Sequence, residues 1–293
     1  MANADLNRSI AGSVDPAALA RELHARPGVG AAAHVLQSSS LQILRMRVAL
    51  PVLILVDRGL KEVHPERGNP VRARPGQALV LGGQQAVDFR NTVAEGAWYE
   101  ARWLLFDPAL LDDAYYRDRS AQPRGRPPAP ARLLAHVRDP LQAAFAAASQ
   151  ALAPQQRIPD AVARQRMLEV MHWLLEEGIA LHGGSARATM AARVQELFAQ
   201  GLDEDWTAQR AASRLAVSQA TLRRRLAAEG ASFARLLVDA RMSTALTLLQ
   251  ATTRPVAEIA GRVGYESPSR FAVRFRERFG FAPTAVRGHD RPR

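Results

Sequence analysis

No cysteine occurs among the 293 residues, and a single lysine, Lys61, stands against 38 arginines. The first absence excludes a disulfide framework, a thiolate metal site and a cysteine nucleophile, and it fits a reducing compartment. The longest apolar run, Val48 to Val56, contains Pro51 and is about half the roughly 20 residues a membrane helix needs. The N-terminal MANADLNRSIAGS lacks the basic-then-apolar order of a secretory signal, so the expectation is a soluble cytoplasmic protein with no membrane partner. Catalytic signatures are missing too: there is no P-loop, no HExxH and no GxSxG, and the seven histidines are scattered. Glu62, His64 and Glu66 alternate as they would on one strand face, but Pro65 interrupts them and the next histidine is His136. No metal site, no cofactor and no catalytic residues are therefore expected. Gly28, Gly30 and Ala33 mimic a dinucleotide fingerprint, yet Arg21 to Pro27 does not read as a buried strand, so the segment is expected to be a loop.

What is present is positive charge, unevenly placed. The net charge is +11, with 39 basic against 28 acidic residues. Residues 184–293 hold 18 arginines against 10 acidic residues, whereas residues 1–183 hold 21 basic against 18 acidic. A GC-rich genome would account for arginine in place of lysine but not for its concentration in the last third. A length of 293 residues with 47% hydrophobic content predicts about two packed domains.

Residues 1–40 are Ala, Gly and Ser rich and predict a partly ordered lead-in with a weak helix from Pro16 to His24. From Leu41 to Asp107, short apolar or alternating runs are separated by Gly59, Pro70, Pro75-Gly76 and Gly82-Gly83, the pattern of a β-sandwich or small barrel. Gln122 to Ala131 carries four prolines and predicts an exposed loop. Helices are predicted over Leu133 to Ala153 and Asp160 to Leu181. In the second, Met167, Val170, Met171, Leu174 and Leu175 form one apolar stripe, read as core or as the seam of a helix pair in a homodimer. Gly183-Gly184 then marks a joint between domains.

The C-terminal third repeats one arrangement twice. Thr207 and Ser218 are placed to cap two short helices, the second carrying Arg223, Arg224 and Arg225. Leu222 and Leu226 point inward, leaving Gln219, Ala220, Arg223, Arg224 and Ala227 outward. About fifty residues on, Val256, Ile259, Ala260 and Val263 share a helix face that Gly264 ends. Ser267 and Pro268 then open a helix with Phe271, Phe275 and Phe279 on its buried side and Ser269, Arg270, Ala272, Val273, Arg274 and Arg276 outside or flanking. Helix, turn and arginine-bearing helix is the helix-turn-helix pattern. Phe233 to Leu249 predicts a long helix joining the two units. Asp203-Glu204-Asp205 reads as an acidic cap for the first helix.

The stretch from Trp206 to Arg287 resembles the tandem helix-turn-helix domain of AraC/XylS-type transcriptional regulators. The matching positions are Trp206-Thr207, Ala211, Leu215, Ser218, Leu222 with Arg224, Gly230, Ser232-Phe233, Arg241-Met242, Ala245, Leu248-Leu249, Ile259-Ala260, Gly264-Tyr265, Ser267, Ser269, Phe271, Phe275, Gly280, and Pro283 with Arg287. Val273 stands where the family usually has an arginine, and Ala220 where it often has a larger reader. The β-rich part with Pro75-Gly76 and Phe106-Asp107-Pro108 is similar in outline to the family's cupin-like sensing and dimerisation domains.

The resemblance implies an α+β chain, with a cupin-like β-barrel or sandwich with helices at 41–182, a linker at 183–188 and an all-α DNA-binding domain at 189–288. Its two motifs fall at about 207–228 and 255–278. It further implies a sequence-specific regulator, more often an activator, that places two recognition helices in adjacent major-groove segments of promoter DNA. Gln219, Ala220, Arg223, Arg224, Ser269, Arg270, Ala272, Val273, Arg274 and Arg276 would be the DNA-facing residues. RNA polymerase, a small-molecule or protein effector and a second copy of the chain are the implied partners, at the nucleoid. A reading from another class stays open: a small-molecule-binding or enzymatic cupin-like unit with a non-specific basic C-terminal domain.

Overall fold

The computed structural model describes residues 21–66, 68–93, 98–121, 130–181, 189–199 and 201–287. Among the described residues the N-terminal part holds ten strands: β1 (Glu22–Arg26), β2 (Gly30–Gln37), β3 (Leu41–Val48), β4 (Val52–Arg58) and β5 (Leu60–Pro65), then β6 (Val71–Ala73), β7 (Ala78–Leu81), β8 (Gln85–Thr92), β9 (Tyr99–Phe106) and β10 (Ala131–Leu134). They form two antiparallel sheets, one ordered β1-β2-β9-β4-β7-β10 and the other β3-β8-β5-β6. Between β9 and β10 lie α1 (Pro108–Leu111) and α2 (Ala114–Ala121), and after β10 come α3 (Asp139–Leu152) and α4 (Asp160–Glu176).

The larger sheet is covered on both faces, which is why β4 reads as a continuous apolar run rather than an alternating one. Val52, Ile54 and Val56 join Val63 and Phe89 of the smaller sheet in one core. Leu53 and Leu55 join Phe145 of α3 and Met167 of α4 in another. The stripe Met167, Val170, Met171 and Leu174 is buried in that second core, so the face considered as a dimer seam is covered from within the chain.

Three expectations need correction. Residues 22–37 are two full strands rather than a lead-in, and His24 belongs to β1 rather than to a helix. Alanine is a poor strand former, which hid GAAAHVLQ from a propensity reading. Its pairing on both sides, Ala33 opposite Trp103 in β9 and opposite Leu23 in β1, overrides that preference, and its small side chains let α3 lie close. The helix expected from Leu133 starts only at Asp139, with Pro140 in its first turn, because 131–134 is drawn into pairing with β7. The helix expected to reach Leu181 ends at Glu176. Residues 1–20, 122–129 and the joint at 183–188 lie outside the described residues.

The C-terminal part is helical: α5 (Met190–Ala199), α6 (Ala208–Arg214), α7 (Gln219–Ala228), α8 (Phe233–Ala251), α9 (Val256–Arg262) and α10 (Pro268–Phe279), closed by a short 3-10 turn at Pro283–Arg287. Glu229 seats α5 by accepting from the Met190 and Ala191 amides at 2.7 and 2.8 Å. The N-terminal half of α8 contributes Leu236 to a core with Phe198, Trp206, Leu222 and Leu226. Its C-terminal half contributes Met242, Leu246 and Leu249 to a core with Ile259, Phe271 and Phe275 that continues into the sandwich. This helix also packs on β1, β2 and β3.

Candidate nucleic-acid interface and the cavity behind it

Both motifs form where the capping residues place them. Thr207, Ser218 and Ser267 each accept a hydrogen bond from the third residue of their helix, Arg210, Thr221 and Arg270, at 3.1, 3.1 and 3.3 Å. Each bond satisfies one of the donors a helix start leaves open. The turn of the second motif uses Gly264 at φ +78, where a Cβ would lie 2.6 Å from the Leu202 carbonyl oxygen. The first motif puts Ala216 at φ +53 in the corresponding turn, a conformation that strains an L residue. Leu222 and Leu226 anchor α7 inward, as Phe271, Phe275 and Phe279 anchor α10.

The sequence-derived residues fall on the opposite faces. Gln219, Ala220, Arg223 and Arg224 are exposed on α7 and, with Ala227, line an open concavity of about 620 Å³. On α10, Ser269, Arg270, Val273, Arg274 and Arg276 are exposed and Ala272 is half-buried.

The arginines sort into two groups that composition could not separate. Arg210 and Arg214 pair with Glu204 at 2.6 and 3.1 Å, Arg254 and Arg262 pair with Glu258, and Arg278 pairs with Asp239 at 2.8 Å. Arg287 is spent on the carbonyls of Leu249, Thr252 and Arg254. Arg274 pairs with Glu277 at 2.9 Å on the exposed face. The side chains of Arg223, Arg224, Arg225, Arg270 and Arg276 have no hydrogen-bond or ion-pair partner among the described residues. Within the described residues of the C-terminal part, these five on α7 and α10 are joined only by Arg235 on α8 as arginines without such a partner. Glu204, expected to act on a helix dipole, instead holds two arginines of α6 beside Trp206, while Thr207 caps the helix.

A second feature was not foreseen. A cavity of about 290 Å³ lies between the sandwich and the C-terminal helices, walled by Val52, Ile54, Phe89 and Trp103 on one side and by Phe198 and Ser243 on the other. Its walls are mostly apolar, and three donor or hydroxyl atoms in them have nothing to bind. Trp103 Nε1, Ser243 Oγ and Arg47 Nε are buried without a partner among the described residues. Lys61 also lines it, 2% exposed, with its ammonium 4.0 Å from the Phe89 ring centroid and 3.0 Å from Asn91 Oδ1. Burial lowers the Lys61 pKa to about 7. Arg47 bridges the two parts by donating to Gln195 at 2.6 Å. On β5 the alternating Glu62 and His64 lie on the face away from the cavity. Lys61 and Val63 point inward, while Glu62 pairs with Arg72 at 2.6 Å. The overlooked signal was the solitary lysine in an arginine-rich chain.

Fold and site define a tandem helix-turn-helix protein carrying a β-sandwich. A helix-turn-helix domain family matches residues 211–289. The chain is 32% identical over 97 residues to the transcriptional regulator SirC of Salmonella typhimurium strain SL1344. It is 35% identical over 95 residues to the HTH-type transcriptional regulator GadX of Escherichia coli O6:H1. Each match covers about a third of both proteins, 33% and 33% for SirC and 32% and 35% for GadX. The chain thus spans about a third of the length of the curated relatives it matches. The C-terminal unit is an AraC/XylS-type DNA-binding domain. Across 87% of this chain and 97% of the other, the fold is similar to that of ToxT from Vibrio cholerae, with a TM-score of 0.60 at 12% identity. A further ToxT structure, described as bound to an unsaturated fatty acid, has a TM-score of 0.59 at 10% identity and covers 90% of this chain and 98% of that one. Among the described residues no helix is long and apolar enough to cross a membrane, and no group of three or more His, Asp or Glu could hold a metal ion.

Proposed function

We propose that the chain is a sequence-specific transcriptional regulator, an activator as the resemblance implies, in which α7 and α10 enter adjacent major-groove segments of promoter DNA. The observation that carries this reading is the pair of capped helices whose exposed faces hold Arg223, Arg224, Arg225, Arg270 and Arg276 without side-chain partners among the described residues. An α8 of 19 residues is about 28 Å long at 1.5 Å per residue, the scale of one DNA turn. Arg223, Arg224, Arg270 and Arg276 neutralise phosphates or pair with guanine edges, while Gln219, Ala220, Ser269, Ala272 and Val273 meet bases or groove walls and Arg274 exchanges Glu277 for DNA.

The cavity takes an effector with an apolar body and an acceptor-bearing, anionic head, received by Lys61, Trp103 Nε1 and Ser243. Two findings support that class: the unpaired donors in an apolar wall, and the fatty acid in the structurally similar ToxT. No catalytic step is assigned to the chain. It acts in the cytoplasm at the nucleoid, with RNA polymerase and a second copy of itself as partners.

The test is binding of the full chain to a duplex selected from a random pool, against a scrambled duplex, over a salt series. The selected duplex is expected to bind roughly a thousandfold tighter or more at physiological salt. Equal affinity for both would favour the basic-tail alternative and refute the regulator reading.

A further inference from the structure

Four polar side chains run in series through a core that is otherwise apolar. The Lys61 ammonium on β5 donates to Asn91 Oδ1 on β8 at 3.0 Å, and Asn91 Nδ2 donates to Gln37 Oε1 on β2 at 3.1 Å. Gln250 Nε2, in the last turn of α8, donates to the same Gln37 oxygen at 3.3 Å. Lys61 is 2% exposed and the other three are wholly buried. Such a network weakens a core relative to apolar packing unless every member is satisfied, and this one is not: Gln250 Oε1 has no partner among the described residues.

The two ends of the series are revealing. One end, Lys61, lies in the cavity wall. The other end is on the helix that joins the two reading motifs. Along α8 the cavity wall includes Ala240, Ser243, Thr244 and Thr247, and Gln250 continues that stripe at helical spacing. Gln37 is tied to the C-terminal helices a second time, because its Nε2 donates to the Ser39 carbonyl at 2.5 Å and Ser39 Oγ donates to the Ala285 carbonyl at 3.3 Å.

We infer that the series Lys61, Asn91, Gln37 and Gln250 couples occupancy of the cavity to the seating of α8, and through α8 to the spacing of the two DNA-reading helices. This rests on the effector reading above. An anionic head entering the cavity draws the lysine ammonium toward itself, because an ion pair with a carboxylate outweighs the bond to the neutral Asn91 Oδ1. Asn91 is then left with a buried acceptor and no donor, a costly state that is relieved when its amide re-aims. Re-aiming withdraws one of the two donors that Gln37 Oε1 holds. Gln250, bonded at one end only, is free to follow, and the end of α8 moves with it. Gln37, Asn91 and Gln250 are positioning residues that never touch the effector.

The test measures how a cis-monounsaturated C16 fatty acid, kept below its micelle concentration, changes the affinity of the full chain for its selected duplex. The wild-type factor is expected to be about fivefold or more. Gln250→Leu is expected to keep the fatty-acid Kd within about twofold while the factor falls toward one. An unchanged factor in Gln250→Leu, or a wild-type factor of one despite fatty-acid binding, overturns the coupling and leaves the effector site standing. If the wild type binds no fatty acid, the effector reading fails instead. The series is then judged without ligand, by a double-mutant cycle of Lys61→Met and Gln250→Leu on DNA affinity. Departure from additivity by about threefold supports it and additivity overturns it.

Discussion

Replacing Lys61 by methionine should stabilise the protein, and do so in a pH-dependent way. The ammonium is buried over the Phe89 ring with Asn91 as its one hydrogen-bond partner, and no carboxylate pairs with it among the described residues. The nearest fixed charge in the same cavity wall, Arg47, is also positive. Burial lowers the pKa from 10.5 to about 7, which at 1.36 kcal/mol per pH unit corresponds to a cost of about 5 kcal/mol for holding the charged form. The sign follows from proton counting. Below pH 7 the folded and unfolded chains both carry the proton and the full cost applies. Between about 7 and 10.5 the unfolded chain alone carries it, so wild-type stability climbs by about 1.4 kcal/mol per pH unit.

Methionine removes that cost but orphans Asn91 Oδ1, a pH-independent penalty of about 1–3 kcal/mol. Lys61→Met is thus expected to exceed the wild type by about 2–4 kcal/mol at pH 6, and to lose most of that lead by about pH 9. Urea unfolding of both proteins across this range reads the difference directly. A gap that does not change between pH 6 and pH 9, or a methionine variant less stable than wild type at pH 6, would refute the buried-charge account.

Two further predictions concern DNA binding and the turns. Arg224→Ala should weaken binding and reduce the slope of log K against log salt by about 0.9, the value for one phosphate contact. Arg210→Ala, whose side chain is held by Glu204, should leave the slope unchanged in the same fluorescence-anisotropy titrations; equal effects of the two would break the division into committed and uncommitted arginines. Gly264→Ala should cost about 2–4 kcal/mol, from a left-handed φ and from contact with the Leu202 carbonyl. In the other motif Ala216→Gly should gain about 0.5–1 kcal/mol, as relief of strain outweighs the added freedom of the unfolded chain. Thermal unfolding distinguishes the two, and shifts of the same sign would defeat the comparison.

The parts that sequence made legible are those whose physics is local. Thr207, Ser218 and Ser267 cap helices through bonds to the third helical residue, and the phenylalanines of α10 repeat at helical spacing, so both motifs and their outward residues could be read from a few positions. The hidden parts depend on what the chain meets elsewhere. Strand β2 is alanine-rich and exists because β1 and β9 pair with it on either side. The commitment of Arg278 to Asp239, 39 positions away, and to Leu44 and Arg45, more than two hundred positions away, is set by distant chain, and nothing in its neighbourhood on α10 distinguishes it from Arg274 or Arg276. The cavity needed the parity of β5, and Pro65 together with Glu62 and His64 drew attention to the outward face.

The choice of lysine at position 61, in a chain that uses arginine everywhere else, leads to a sharper expectation than the methionine variant alone. A guanidinium is planar and permanently charged, whereas an ammonium is compact, turns freely among acceptors and can shed its proton when buried. Lys61 makes use of each property: it sits among the rings of Phe89, Tyr99 and Trp103, its pKa falls to about 7, and its single bond to Asn91 leaves donors for a ligand. Lys61→Arg keeps the formal charge and removes the other two. Its stability should therefore stay flat between pH 7 and 9, where the wild type rises by about 1.4 kcal/mol per unit, and it should lie below the wild type throughout that window because the charge cannot be released. The wider, planar head also encroaches on a cavity of about 290 Å³, so fatty-acid affinity should drop although an ion-pairing cation is still present. If Lys61→Arg binds the fatty acid as the wild type does and follows the same pH profile, then charge alone is what the position requires, and the argument from the shape and titration of lysine fails.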